Sequence, residues 1–217
     1  VRTSNIQRTI DSARCVVAGL YGQENIQGND GKSVGVVTMV TLSEKEETIY
    51  PNMSYCAQLK TWAKTAMNMD FWASHDGYQN DWLLLKEDLG IKKDQFIFVT
   101  FRDFIAAQEA HNLPVSPVLL KHRDVIERRA VEELLSVQCG YPHGRHEVLR
   151  LGVGKILEVI GDRMKDKINQ ISPSHHKLCM YSVHDTTLVC LLVCLGLNTD
   201  KWPDFGADLA FELYKNK

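Results

Sequence analysis

The chain has 217 residues, of which 44% are hydrophobic and 24% charged, a composition typical of one large globular domain or of a core that carries an insertion. Its formal net charge is −2 and it has no long basic block, which argues against a nucleic-acid-binding protein, because phosphate backbones are bound by clustered Lys and Arg. No apolar run reaches the length of a membrane span, and no signal or transit peptide is recognisable.

The first 50 residues predict a β-α-β unit. Ser4 and Gln7 fit a capping box, and apolar residues recur at helical spacing from Ile6 to Leu20, with Gly22 as the stop. The later stretch "VGVVTMVTL" is rich in β-branched residues and predicts a buried strand.

Residues 51–171 predict a helical block, with "DWLLLKEDLG", "LLKHRDVIERRAVEELLSV" and "EVLRLGVGKILEVIGDRMKDKINQI" as its clearest segments. Residues 172–217 return to strand texture in "KLCMYSV", followed by the helix "TTLVCLLVCLG" and the strand "ADLAFELY". The order predicts an α/β fold with a mostly parallel sheet core flanked by helices. Residues 1–50 and 172–217 would form this core, and residues 51–171 an inserted α-helical cap.

Titratable side chains follow two of the predicted strands. His184 and Asp185 end one strand, and Arg2 lies at the equivalent end of the first. Ligands of open α/β sheets bind at the carboxyl ends of strands, and the helix N-termini that follow favour anions. Arg and His can bind phosphate oxygens, and Asp can protonate a leaving alkoxide. Alternatively, Asp185 is a helix N-cap, His184 a core histidine and Arg2 a surface arginine.

The six cysteines have no spacing typical of a metal site, and no disulfide can be paired from the sequence. Cys190 and Cys194 lie four residues apart on an apolar helix, where core packing is favoured over metal binding. The sequence therefore predicts neither a metal site nor a cofactor.

Several motifs resemble the histidine acid phosphatase family, in the right order over nearly the whole chain. "VRTSNIQRTIDSA" is similar to the segment in which an arginine opens a capped helix, and "YSVHDTTL" to the family's His-Asp motif. "IYPN", "EAHNLPVSP", "RRAV" and "KWPDFGADLAFELY" resemble the branch that hydrolyses lysophosphatidic acid.

The resemblance implies a metal-independent acid phosphomonoesterase that works through a phosphohistidine and has a helical cap over a parallel α/β core. By matched position, Arg2 and His184 would bind phosphate, and Asp185 would be the proton donor. Arg8 follows the helix pattern too, with packing or a surface salt bridge as the alternative. His111 and Asn112 lie in a cap motif that either faces the pocket or structures a loop.

One departure concerns the nucleophile, which the family carries in an Arg-His-Gly motif on the first core strand. No such tripeptide occurs in the 217 residues. The family's order puts the motif before Val1, so we expect a fragment or truncated form that is incomplete at both ends of the core and inactive by itself.

The substrate implied by the resemblance is a phosphomonoester, namely lysophosphatidic acid, which would yield monoacylglycerol and phosphate, and the implied location is the mitochondrion. Trp62, Trp72 and Trp82 would either line a lipid pocket or pack between helices. Two further hypotheses remain: a non-catalytic pseudo-phosphatase that binds phosphorylated ligands or a partner, and a structural domain whose His-Asp pair caps a helix. The oligomeric state cannot be read from the sequence.

Overall fold

The computed structural model describes residues 1–22, 37–92, 98–140, 144–169, 176–197 and 200–215. Two short strands, nine α-helices and a 3₁₀-helix (Glu44–Glu46) lie within these ranges. The strands are β1 (Arg2–Thr3) and β2 (Tyr181–Ser182). The helices are α1 (Gln7–Tyr21), α2 (Ala57–Ala66), α3 (Met69–Ala73), α4 (Tyr78–Leu89), α5 (Phe98–Ala110), α6 (Pro117–Lys121), α7 (Arg123–Cys139), α8 (Arg145–Asn169) and α9 (Asp185–Cys194).

The sheet is smaller than the sequence predicts. β1 pairs in parallel with β2, and Val40 adds an isolated parallel bridge to Arg2 on the other side. A helix follows each strand, as in α/β folds, but no larger parallel sheet core is present in the described residues. Of the predicted strand 34–42, residues 34–36 lie outside the described ranges and only Val40 makes a bridge.

The predicted strand at residues 207–214 is also absent from the sheet, although this segment is described. β-propensity mostly reflects how well a side chain fits a pleated surface, and a strand exists only where a neighbour supplies its backbone hydrogen bonds. None of the described residues pairs with this segment in a ladder. The pattern of the side chains was therefore not sufficient to predict a strand.

Helix α1 confirms one predicted boundary and corrects the other. It ends at Gly22, which adopts a φ of 83°. The predicted capping box is wrong, because the N-cap is Ile6 and no side chain caps the helix. The hydroxyl of Ser4 instead contacts Thr9 and His184.

The helical block has the predicted content with two additional breaks. Asn68 separates α2 from α3 and caps α3 by accepting the backbone N–H of Asp70 across 3.0 Å. His122 separates α6 from α7. α8 is a single helix of 25 residues, and its Gly152 lies against Pro51, where a Cβ would come within 3.4 Å of the proline ring. This part of α8 therefore packs against Pro51 at ordinary van der Waals distance.

The core of the helical block is aromatic. Trp72 and Trp82 are fully buried, and the Trp72 ring stacks on Tyr78 with centroids 4.6 Å apart. Trp62 donates its indole N–H to the carbonyl of Ser136 across 3.0 Å. These tryptophans therefore pack between helices, as one of the two interpretations expected.

Helix α7 connects this block to the strand region, because it packs against α5, α2, α8 and α9. The division into a core of residues 1–50 and 172–217 and a cap of residues 51–171 stays a prediction. Among the helices described here, none combines the length and the apolar character that a bilayer crossing requires.

Candidate functional site

Parallel pairing brings the ends of β1 and β2 side by side. Thr3 lies opposite Ser182, and the backbone N–H of Ser4 donates to the Ser182 carbonyl across 3.2 Å. α1 and α9 begin within a few residues of these ends. Ligands of open α/β sheets bind at the carboxyl ends of strands, and helix N-termini favour anions, so the backbone predisposes this edge to bind an anion.

The imidazole of His184 lies between these two strand ends and contacts both neighbouring elements. Its Nε2 lies 3.0 Å from Ser4 Oγ, and its Nδ1 lies 3.3 Å from Arg8 Nη2 on the first turn of α1. The ring of Tyr50 meets the imidazole edge to face at 5.3 Å. The imidazole is thus held on three sides, with the Arg8 side towards the cleft described below.

Burial lowers the pKa of His184 below its ordinary value, and the positive charge of Arg8 lowers it further. The carboxylates of Asp185 and Glu47 oppose this shift. Burial and a neighbouring cation both disfavour the imidazolium, so the ligand-free site favours the neutral ring.

Asp185 is the first residue of α9, and both of its carboxylate oxygens accept hydrogen bonds. Oδ1 accepts the backbone N–H of Thr186 across 2.7 Å, and Oδ2 accepts the indole N–H of Trp202 across 2.8 Å. The guanidinium of Arg102 covers the Trp202 ring at 4.9 Å. The carboxylate is therefore fixed in one orientation. The residue that caps α9 is His184 rather than Asp185, and no side-chain hydrogen bond accompanies that cap.

A second carboxylate, that of Asp103 on α5, interacts electrostatically with Asp185. Burial raises the pKa of Asp103, the cation of Arg102 opposes this effect, and the charge of Asp185 adds to it. The charge of Asp185 therefore helps to raise the pKa of Asp103.

His184, Asp185 and Arg8 all line one open cleft of about 1880 Å³. Arg102 and Asp103 line it from the α5 side, and residues 202–214 form a continuous wall. The second part of this wall, residues 207–214, is the segment that was predicted as a strand. The cleft is thus lined by charged groups at the strand ends and by apolar side chains of residues 202–214.

Arg2 has different surroundings. Its Nη2 donates to the buried carboxylate of Glu47 across 2.7 Å, and its Nη1 donates to the carbonyls of Thr3 and Val40 across 2.8 and 3.2 Å. Arg2 is not among the described residues that line the cleft. These contacts link β1 to the following segment, and a phosphate-binding role for Arg2 stays a prediction.

His111 and Asn112 lie at the carboxyl end of α5 and are exposed. Their backbone N–H groups donate to the carbonyls of Ala107 and Glu109 across 3.2 and 3.0 Å, and Asn112 has a φ of 53°. Asn tolerates this left-handed conformation better than most residues, which suits the turn that ends the helix. Neither residue is among the described residues lining the cleft, and a pocket role for them stays a prediction.

For Arg8, the sequence left open a match to the family's helix pattern, packing or a surface salt bridge. Arg8 is the second residue of α1, the helix that follows β1, and this position near a helix start was the available signal. Its distance from His184 depends on the parallel register of β1 and β2, which the sequence does not specify.

Comparison with known proteins agrees with this geometry. Residues 1–217 match the profile of the family described as Histidine phosphatase superfamily (branch 2). The chain is 31% identical over 220 residues to lysophosphatidic acid phosphatase type 6 of Bos taurus, and 32% identical over 219 residues to the Homo sapiens protein of that name. It is 27% identical over 231 residues to a probable acid phosphatase of Dictyostelium discoideum. All of the chain is covered in each case, but it spans only 48% of each relative's length.

Proposed function

Because the chain belongs to the histidine phosphatase superfamily, we propose that its cleft is the phosphate-binding and proton-donating part of an acid phosphomonoesterase site. The observation that carries this proposal is the 3.3 Å approach of Arg8 Nη2 to His184 Nδ1, in the cleft that Asp185 also lines. Arg8 and His184 bind the phosphate oxygens, and Asp185 protonates the leaving alkoxide.

A phosphate ester is a better partner for Arg8 than the imidazole is. A charge-assisted hydrogen bond from guanidinium to a phosphate oxygen is roughly twice as strong as a neutral one, and a guanidinium can make two in parallel. Binding therefore replaces the Arg8–His184 contact with contacts from both residues to the ligand.

The test of the phosphate site is calorimetric titration of the chain with inorganic phosphate. Arg8→Gln should weaken binding by about 10- to 100-fold, as expected for hydrogen bonds to a charged group. Arg14→Gln is the matched control, because Arg14 is an exposed arginine of the same helix that lies outside the set of residues lining the cleft. Arg2→Gln shows whether the second candidate arginine contributes. Unchanged affinity in Arg8→Gln would contradict the proposal, and no binding by the wild-type chain would favour a purely structural domain.

Turnover is a separate question, because the family's route needs an imidazole that accepts the phosphoryl group. The 217 residues contain no Arg-His-Gly motif, so we expect them to bind phosphate esters without hydrolysing them. Binding without turnover is also what the pseudo-phosphatase hypothesis requires. The test is an assay with an aryl phosphate at acid pH. Turnover that is lost in Asp185→Ala would contradict the expected inactivity and point to another nucleophile, with His111, His143 and His146 to be mutated first.

For the substrate, we propose a lysophospholipid. Two of the relatives carry lysophosphatidic acid in their names, and the wall at residues 202–214 supplies apolar side chains next to the charged end of the cleft. These side chains include Phe205, Leu209, Phe211 and Leu213. An acyl chain along this wall removes apolar surface from water, at about 0.8 kcal/mol for each buried CH₂ group.

The substrate test compares glycerol 3-phosphate with lysophosphatidic acids of increasing acyl length, below their micellar concentrations. Affinity should rise with chain length, and Leu213→Ser should reduce that rise. Leu83→Ser is the matched control, because Leu83 is 48% exposed and Leu213 46%, and only Leu213 is among the residues lining the cleft. An affinity that is independent of acyl length would exclude the lipid wall and leave phosphate binding intact.

A further inference from the structure

A chain of four hydrogen bonds runs from Arg8 through His184 into the turn between β1 and α1. Arg8 Nη2 lies 3.3 Å from His184 Nδ1, and His184 Nε2 lies 3.0 Å from Ser4 Oγ. Ser4 Oγ lies 2.7 Å from Thr9 Oγ1, and Thr9 Oγ1 lies 2.8 Å from the carbonyl of Ile6. Each of these four contacts needs one hydrogen between its two atoms. The hydrogens can therefore be assigned one after another, starting from the carbonyl of Ile6.

The proton of the Thr9 hydroxyl is fixed by its backbone contacts. Thr9 Oγ1 lies near the carbonyls of Ile6 and Ser4, at 2.8 and 3.1 Å, and a carbonyl can only accept. A hydroxyl has one proton, and Thr9 uses it there. The 2.7 Å contact between the two hydroxyls therefore requires Ser4 to donate to Thr9.

The proton of Ser4 is then also used, and this decides the tautomer of His184. In the 3.0 Å contact with Nε2, Ser4 Oγ can only accept, so Nε2 must carry a hydrogen. A neutral imidazole protonated at Nε2 has its lone pair at Nδ1. Arg8 can only donate, so the contact at Nδ1 is satisfied as well.

The opposite tautomer fails at two links. A hydrogen on Nδ1 would face the N–H of Arg8, and a Ser4 hydroxyl that donated to Nε2 would leave the contact with Thr9 without a proton. Ser4 is 0% exposed and Thr9 is 4% exposed, so water cannot readily enter between these two hydroxyls, whereas the Arg8 contact is exposed and Arg8 can move away. Two buried hydroxyl oxygens held 2.7 Å apart with no proton between them repel each other, which disfavours this tautomer.

We propose that Ser4 and Thr9 are positioning residues that hold neutral His184 as the Nε2–H tautomer, with the Nδ1 lone pair towards Arg8 and the cleft. A phosphate that displaces Arg8 from this contact meets Nδ1, and Nδ1 donates to a phosphate oxygen after taking one proton from the solution. The charged and titratable groups near the ring are Arg8 on α1, Asp185 on α9, and Glu47 and Tyr50 on the segment between them. This second step rests on the proposed phosphate site, whereas the tautomer does not.

The tautomer is tested by ¹⁵N NMR of the imidazole nitrogens above the titration of His184, with the signals assigned by their loss in His184→Asn. We expect a single tautomer with a slowly exchanging proton on Nε2. Thr9→Ser keeps the relay hydroxyl and should keep this pattern, whereas Thr9→Val frees the Ser4 proton and should produce a mixture. A wild-type ring protonated at Nδ1, or a Thr9→Val spectrum identical to wild type, overturns the proposal.

The phosphate-binding step of the proposal is tested by titrating the Ser4→Ala variant with inorganic phosphate. We expect affinity to fall about 2- to 10-fold, the range of one net hydrogen bond, with proton uptake on binding in the wild type. Ser12→Ala is the control, since Ser12 lines the same cleft from α1 and is not a link of the relay. If the wild type binds no phosphate, the proposed function fails and the NMR result still decides the tautomer. If Ser4→Ala does not fold, the wild-type and Thr9→Ser spectra still test the relay.

Discussion

Trp202 and Asp185 are joined by a hydrogen bond of 2.8 Å from the indole N–H to Oδ2, which ties the segment after α9 to the first residue of that helix. The other carboxylate oxygen accepts the N–H of Thr186. Asp185 is therefore an acceptor on both sides. In Asp185→Asn, the amide NH₂ group would therefore meet one of these two donors.

Asp185→Asn should destabilise the fold by about 1–3 kcal/mol, because the amide NH₂ group would face either the indole or the backbone N–H. The measurement is the free energy of unfolding from urea denaturation. In a Trp202→Phe background the NH₂ group no longer meets a donor, so the cost of Asp185→Asn should shrink. Strictly additive costs would contradict this. In a longer form that hydrolyses phosphate esters, a loss of activity in Asp185→Asn must be compared with Asp185→Asn/Trp202→Phe before it is assigned to proton donation.

Arg2→Met should destabilise the chain by about 3–5 kcal/mol, because it leaves the fully buried carboxylate of Glu47 without its cation. The side chain of Arg2 is only 18% exposed, so solvent screens this pair weakly. Replacing both partners, as in Arg2→Met with Glu47→Leu, should recover much of the loss. Urea denaturation and phosphate titration together separate the two roles of Arg2. A stable variant that has lost phosphate binding would show Arg2 to be a phosphate ligand.

Glu133 should make the fold more stable in acid. Burial raises the pKa of Glu133 to about 7, although Tyr78 and the backbone N–H groups of Phe98 and Val99 donate to its carboxylate. The folded state therefore keeps a proton that the unfolded state releases near pH 4.5. This contribution is fully present below about pH 4.5 and is lost as the pH rises through about 7, with a size of about 3 kcal/mol.

The measurement is the free energy of unfolding between pH 5 and pH 8 in the wild type and in Glu133→Gln, over the window that the pKa of Glu133 defines. His184 acts in the opposite direction, because its lowered pKa makes stability rise with pH below its ordinary value. The difference between the two proteins isolates Glu133, since both keep His184. A difference that does not change with pH would mean that Glu133 is ionised throughout.

The thiols of Cys139 and Cys190 should resist modification in the folded chain. They are fully buried with their sulfurs 3.5 Å apart, and the hydrogen bond with Cys139, together with burial, raises the pKa of Cys190 well above its ordinary value. Cys15 and Cys179 are exposed. With a thiol-specific disulfide reagent, we expect the buried pair to react at least about 100-fold more slowly than the exposed thiols, because reaction requires opening of the fold. Mass spectrometry identifies the sites, and rapid labelling at Cys139 or Cys190 would contradict the packing of α7 against α9.

The helices were largely predictable because their signals are local. Apolar spacing predicted α1 and α8, and Gly22 predicted the end of α1. The capping box failed because Ser4 has a competing partner, His184, that lies 180 residues away in the chain. The predicted strand at residues 207–214 failed for a related reason, since strand formation depends on a neighbouring strand.

The sequence by itself determined the types of groups at the site, because a His-Asp pair after one strand and an arginine-containing helix start after another are local patterns. Only the tertiary structure decided which groups meet. The parallel register of β1 and β2 puts Arg8 beside His184 and leaves Arg2 with Glu47, although both arginines lie within eight residues of the chain start. Hydrogen bonds and ion pairs act over about 3 Å, so the choice between two nearby arginines depends on packing geometry that residue spacing does not encode.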